Sequence, residues 1–209
     1  MTRADAGTQF GQIGFAIVRL SSLLTKDVES VWDALNSDVL VEEKRVRELP
    51  REIASSLMSV EGFVRRFATD AGFRPLRLEK VRVQRSVGPL NLDPAKAPFA
   101  THVDRRRFIK LMVYMTDVDL SHGPLTFDLG SPYPRRRKLR EVWSSNAHGL
   151  NVVGGSPKPV PVTGRRGTAI IFDTNAAHFA GFREPDLARE IVRFDFSSTS
   201  WIRRTLRTL

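Results

Sequence analysis

The segment His102-Val103-Asp104 sets an imidazole and a carboxylate two positions apart. On a strand, residues at that spacing point to one face, so the two groups can grip a single cation together. The chain holds four His and no Cys. Disulfides, thiolate-bound zinc, iron–sulfur clusters and thiol nucleophiles are therefore excluded, and any metal is held by nitrogen and oxygen. Downstream, FIKLMVYMTDV places Lys110, Met112, Tyr114 and Thr116 on one strand face, and the same alternation groups Arg189, Ile191 and Arg193.

Periodicity names the elements that must position these groups. Ile13, Phe15 and Ile17 alternate as a half-buried strand requires. Thr25 is placed to cap a helix that brings Val28, Val31, Trp32 and Leu35 to one face. A second helix is expected from Pro50, with Ile53, Leu57, Val60, Val64 and Phe67 at helical spacing. The charged stretch from Glu42 to Arg47 between them reads as a solvated segment. After Asp70-Ala71-Gly72 the texture becomes β: Leu76 to Gln84, Phe108 to Thr116, Leu125 to Phe127, Val160 to Val162, Thr168 to Phe172 and Ile191 to Phe196. Arg135 to Trp143 is a candidate short helix. Helices first, then an antiparallel sandwich or barrel of about 130 residues, is the expected order. Residues 1–209 are read as a single domain: 1–75 an N-terminal strand and supporting helices, 76–209 the β core. The long stretch of about 133–166, with PRRRK, GG and PKPVP, is read as a lid over the barrel mouth.

Further along come SHGPLTF, DLGSP and GTAIIFDTNAAHFAG, and eleven residues beyond His178 stands Arg189. This ordered set resembles the iron(II)- and 2-oxoglutarate-dependent dioxygenases, above all their phytanoyl-CoA dioxygenase-like branch, over roughly residues 78 to 197. The family's turn of the type Asn-Gly-Pro-Leu reads His122-Gly123-Pro124-Leu125 here, and its Pro-Gly-Ser-like segment reads Asp128-Leu129-Gly130-Ser131, which departs at the first residues. The resemblance implies a mainly β fold with N-terminal helices and a double-stranded β-helix core of the jelly-roll or cupin-like kind.

It further implies iron(II) held by His102, Asp104 and His178. Two neutral imidazoles and a carboxylate on one face of iron(II) leave three positions for 2-oxoglutarate and dioxygen. The far carboxylate of 2-oxoglutarate calls for a fixed cation, which an Arg fork matches with two parallel hydrogen bonds. Spacing from His178 favours Arg189, with Arg193 as the fallback. Tyr114, Lys110, Met112 and Gln84 are further candidate cosubstrate contacts. Asp104 also closes the coordination site that halogenase relatives open for chloride, so hydroxylation is the expected outcome, with desaturation or ring closure on the same chemistry. No catalytic side chain beyond the metal ligands is expected.

Arg106, His148 and Trp143 are the candidate substrate contacts, each against a plainer reading: a solvated rim, an exposed loop and a lid anchor. His122 reads as a solvated turn residue. The formal net charge is +10, from 33 Lys and Arg against 23 Asp and Glu, which favours an anionic small-molecule substrate. The same charge supports a competing nucleic-acid-binding or nucleic-acid-modifying role, although the basic clusters are not interleaved with aromatics. A third reading is a metal-binding, cupin-like protein without turnover. With no apolar run long enough to span a bilayer and no signal-peptide pattern, a cytoplasmic protein without membrane contact is expected.

Overall fold

The computed structural model describes residues 3–35, 41–87, 99–104, 106–131, 150–151 and 158–198. Two antiparallel sheets face one another, and helices cover the outer side of the larger. The helices are α1 (Arg3–Ile13), α2 (Ser22–Leu35) and α3 (Ala54–Asp70). The strands begin with β1 (Phe15–Val18), β2 (Val41–Arg45), β3 (Leu76–Val87), β4 (His102–Val103), β5 (Ile109–Tyr114) and β6 (Leu125–Asp128). They continue with β7 (Leu150–Asn151), β8 (Pro159–Pro161), β9 (Ala169–Asp173), β10 (His178–Ala180) and β11 (Ala188–Ser198). The larger sheet runs β1-β9-β5-β11-β3-β2 and the smaller β7-β4-β10-β6-β8. The mainly β jelly-roll class with N-terminal helices is thus the observed one.

Strand alternation divides the molecule into an apolar layer and a chemical one. Ile109, Leu111 and Val113 of β5, and Val192, Phe194 and Phe196 of β11, turn outward to meet Phe10, Val28, Val31, Val64 and Phe67 of the helices. Their neighbours Lys110, Met112 and Tyr114, and Arg189, Ile191 and Arg193, therefore turn inward between the sheets. On the β9 side that inner space is filled by Phe15, Phe127, Ile170 and Phe172, with the Phe15 and Phe127 rings stacked at 3.9 Å. On the β11–β3 side it stays open as a cavity of about 430 Å³.

Four expectations are corrected. Residues 3–13 form a helix, and Ile13 belongs to it, so β1 begins only at Phe15. Ala6 and Phe10 are buried four positions apart, one contact per turn, which is too sparse a stripe to announce a helix. The residue capping α2 is Ser21, whose Oγ accepts from the Leu24 amide at 3.2 Å, and Thr25 lies within the first turn. The charged stretch from Glu42 contributes to β2, which pairs with β3 at the sheet edge; an edge strand satisfies its backbone on one side and tolerates charge. Finally, the stretch of about 133–166, expected as a lid, is in part sheet. Leu150–Asn151 pairs with β4, Pro159–Pro161 with β6, and Gly164 bridges to Val118, so these residues belong to the sandwich. The rest of that stretch, with Trp143, His148 and the candidate helix Arg135 to Trp143, lies outside the described residues.

Candidate functional site

The cavity's chemistry begins with a cross-strand pair. His178 of β10 stands directly opposite His102 of β4, so both rings project between the sheets with centroids 4.6 Å apart. Asp104, just past β4, is held by a clasp. Its amide donates to the Thr174 carbonyl at 3.1 Å, the Phe108 amide donates to Thr174 Oγ1 at 2.8 Å, and the Thr174 amide returns a bond to the Phe108 carbonyl at 2.9 Å. Thr174 is fully buried, and this clasp ties the segment carrying Asp104 to the turn leading into His178. Below it, Arg107 grips the wholly buried Asp173 through Nε at 3.0–3.1 Å and Nη2 at 2.5 Å.

The result is convergence. His102 Nε2 lies 3.8 Å and His178 Nε2 3.7 Å from Asp104 Oδ1, and one ligand atom from each residue lies within 4.8 Å of the others. Each imidazole uses its other nitrogen on backbone: Nδ1 of His102 meets the Ala100 carbonyl and Nδ1 of His178 the Ala176 carbonyl, both at 2.8 Å. A carbonyl accepts only, so Nδ1 carries the proton and the Nε2 lone pair points at the common centre. Burial pushes His178 down to about 4 and lowers His102, which keeps both rings neutral. Burial works to raise the Asp104 carboxyl, but Lys110 and His178 outweigh it and hold the group at about 2, ionised. Two neutral nitrogens and one carboxylate oxygen are a donor set that fits iron(II).

Lys110 reaches this centre from β5 by donating to Asp104 Oδ2 at 2.6 Å, so Oδ1 is the oxygen left facing the imidazoles. Its ammonium is thereby engaged with a metal-ligand candidate. Tyr114 is fully buried, donates to the Val162 carbonyl at 2.8 Å and accepts from the Leu125 amide at 3.1 Å; it lies outside the cavity wall. Met112 and Gln84 do line the cavity, as do Arg189 and Arg193. Arg106 lines it as well, with Nη2 bound to Glu79 at 2.6 Å. His122 is half-buried and its Nδ1 meets Asp119 Oδ1 at 2.7 Å.

Arg189 is the buried cation of the far wall. Its Nη1 donates to the Gly123 carbonyl, and its Nε has no hydrogen-bond partner among the described residues. Burial lowers it to about 10, against Tyr114, which raises it, and with Arg183, which lowers it further. Gly123 makes the approach possible. Its φ is +64°, and a Cβ there would collide with the Gly181 carbonyl oxygen. The Arg183 side chain packs on the same glycine and also carries a buried Nε with no hydrogen-bond partner among the described residues. A buried guanidinium nitrogen left unpaired fits a ligand carboxylate arriving there. Arg193, by contrast, is engaged by Asp195 through Nε at 2.7 Å and Nη2 at 2.9 Å.

Sequence reasoning missed Lys80, Arg82, Asp195 and the aromatic residues Phe108, Phe172 and Phe179 of the cavity wall. The signal for two of them was present: Lys80, Arg82 and Gln84 alternate along one strand, so the reading that singled out Gln84 also places the two cations beside it.

No protein-family model matches the chain. No curated protein matches it in sequence. Solved structures match in fold. The non-haem, α-ketoglutarate-dependent epimerase SnoN from nogalamycin biosynthesis superposes with a TM-score of 0.66 at 17% identity, covering 94% of this chain and 83% of that one. HygX from Streptomyces hygroscopicus, solved with nickel, 2-oxoglutarate and hygromycin B bound, gives 0.59 at 15% identity, covering 95% and 88%. AviO1 from Streptomyces viridochromogenes gives 0.59 at 16% identity and covers 96% of both chains. The fold is therefore one that this chain shares with SnoN, HygX and AviO1. Among the described residues, no helix is long and apolar enough to cross a membrane.

Proposed function

We propose that this chain is an iron(II)- and 2-oxoglutarate-dependent oxygenase acting on a small, anionic molecule. The observation that carries the reading is the meeting of His102 Nε2, Asp104 Oδ1 and His178 Nε2 around one point, in a cavity whose far wall holds the buried Arg189. SnoN has been crystallised with Fe3+ and α-ketoglutarate, and HygX with iron and with nickel and 2-oxoglutarate. Similarity of fold, together with the His-Asp-His donor set of this chain, supports the same cofactors here.

Bound iron(II) and 2-oxoglutarate supply oxidative decarboxylation, in which dioxygen and 2-oxoglutarate give succinate and carbon dioxide while a substrate C–H bond is oxidised. The protein's part is geometric. His102, Asp104 and His178 hold the metal on one side, and Lys110 keeps Asp104 oriented. Arg189 pairs with the far carboxylate of the cosubstrate, while Met112 and Gln84 shape the wall beside it. Arg106, on the cavity wall, belongs to the substrate side. The order of motifs supports a place beside the phytanoyl-CoA dioxygenase-like branch, with the chain working as one domain in the cytoplasm.

Hydroxylation is the outcome we favour. SnoN, an epimerase on a similar fold, supports inversion of a stereocentre as the second reading. The test has two stages. Admitting oxygen to the anaerobic chain with iron(II) and 2-oxoglutarate is expected to yield succinate, and no succinate above a metal-free control contradicts the proposal. Once a substrate is in hand, one atom of labelled dioxygen in the product marks hydroxylation, and an unlabelled product of unchanged mass marks epimerisation.

A further inference from the structure

Two arginines converge on one glycine. The Arg183 side chain crosses Gly123 so closely that a Cβ there would lie 2.8 Å from its Cγ, and Arg189 donates through Nη1 to the carbonyl of the same glycine. The backbone arranges this meeting. Arg183 bridges His122 in an antiparallel pair, the Gly181 amide donates to the Pro124 carbonyl at 2.9 Å, and the Glu184 amide to the Ser121 carbonyl at 2.9 Å. The segment after β10 is thereby fastened to the turn before β6. Gly181 faces Gly123 across this seam, where a Cβ on Gly181 would stand 3.0 Å from the Gly123 Cα. Neither residue of that close contact has room for a side chain, and the seam stays narrow.

The two arginines differ in where they stand. Arg189 is buried and lines the cavity, whereas Arg183 is half-buried and lies outside the lining. Each keeps a buried Nε with no hydrogen-bond partner among the described residues. Burial lowers both below the usual arginine value, and the like charge of Arg183 lowers Arg189 further. Placing one guanidinium near another costs free energy in a wall of low dielectric, and an anion arriving at the inner one offsets that cost. An anion at Arg189 thus meets a cation in contact and feels a second one beyond it.

We propose that Arg183 is a positioning residue for the cosubstrate, which acts through Arg189 to strengthen the hold on a far carboxylate and to favour a keto acid with two carboxylates over one with a plain alkyl tail. This rests on the reading of Arg189 as the 2-oxoglutarate anchor. The charge of Arg183 raises the positive potential at the Arg189 fork. Its stem, lying over Gly123, steadies the carbonyl that takes Arg189 Nη1 and leaves the rest of the fork for the ligand.

The test is calorimetric titration of the nickel(II)-loaded full chain with 2-oxoglutarate and with 2-oxopentanoate, which has the same carbon chain and no far carboxylate. In Arg183→Gln, which keeps the stem and removes the charge, 2-oxoglutarate is expected to bind about three- to fivefold more weakly, the size of one partly screened charge, while 2-oxopentanoate stays within about 1.5-fold. Arg183→Lys, which restores the charge, is expected to recover most of the loss. Arg183→Met, neutral and with a longer stem, gives the same readout should Arg183→Gln fail to fold. Equal weakening of both keto acids marks a merely structural role and overturns the proposal. So does 2-oxoglutarate affinity that is unchanged in the neutral variants, or lost and not recovered in Arg183→Lys. A nickel(II)-loaded wild-type chain that binds neither keto acid contradicts the oxygenase reading and this proposal with it, whereas 2-oxoglutarate binding indifferent to Arg183 removes this proposal alone.

Discussion

Lys110 is the side chain that orients Asp104 toward the two imidazoles. By binding Asp104 Oδ2 it leaves Oδ1 as the oxygen facing the two imidazoles, much as outer partners orient ligands in metal sites generally. Lys110→Met retains the aliphatic stem and removes the bond. Metal affinity is expected to drop about 10- to 100-fold, measured by titration with nickel(II), and the thermal melt of the metal-free chain to fall, because the Asp104 carboxylate loses its partner. Arg189→Ala is expected to raise the 2-oxoglutarate requirement strongly with iron affinity intact, which separates its role from that of the ligands. How much of this was legible from sequence differs by residue. The His-x-Asp spacing declares itself because a strand's period is fixed. The inward face of β5 was equally readable, so Lys110 and Tyr114 were both singled out. Their partners were not readable. Tyr114 is taken up by the Val162 carbonyl and Leu125 amide, and Lys110 by a carboxylate six positions earlier, contacts made by the packing of separate strands.

At the level of elements, the site depends on joining two loops. Thr174 connects the approach to β5 with the turn before β10, accepting the Phe108 amide and donating to the Arg106 carbonyl at 3.4 Å. Thr174→Val preserves shape and strands those backbone groups, which costs about 1–3 kcal/mol for a buried unpaired donor. Urea denaturation is expected to show that loss, together with weakened nickel(II) binding, because the Phe108 amide and Arg106 carbonyl lose their side-chain partner and only the backbone bonds of the clasp remain. Helix α1 supplies a second check. Phe10 is fully buried, edge-on to Phe67 of α3 at 5.4 Å, so Phe10→Ala is expected to cost about 3–5 kcal/mol with metal affinity in the folded chain unchanged. The elements that were hard to read share a cause: each is fixed by its neighbours. Residues 3–13 bury one side chain per turn, and β2 is a strand because β3 offers it an edge, despite a run of charges that reads as solvated. The helices α2 and α3 and the central strands β5, β9 and β11 carry their own strong periodicity and were plain.

For the whole molecule, the net charge of +10 has a partial explanation in the cavity, where cations outnumber carboxylates. Cations that face a cavity suit a small molecule better than a polymer backbone, which needs an exposed basic track. At physiological salt the chain is therefore expected not to retain random single- or double-stranded DNA in a fluorescence anisotropy titration. Retention that falls steeply as salt rises would favour the nucleic-acid reading. The separation of layers explains why one molecule can carry this load: helices and outward strand faces supply the apolar core, and the inward faces of β3, β5 and β11 are released for chemistry.

The most direct test is anaerobic iron(II) titration of the metal-free chain and of its Asp104→Ala variant, followed by 2-oxoglutarate. The wild-type chain is expected to bind one iron(II) and to develop a weak visible charge-transfer band when the keto acid is added, and the variant neither. A wild-type chain that binds no iron(II), or an Asp104→Ala chain that develops the same band, would contradict the assignment of His102, Asp104 and His178 as the metal ligands.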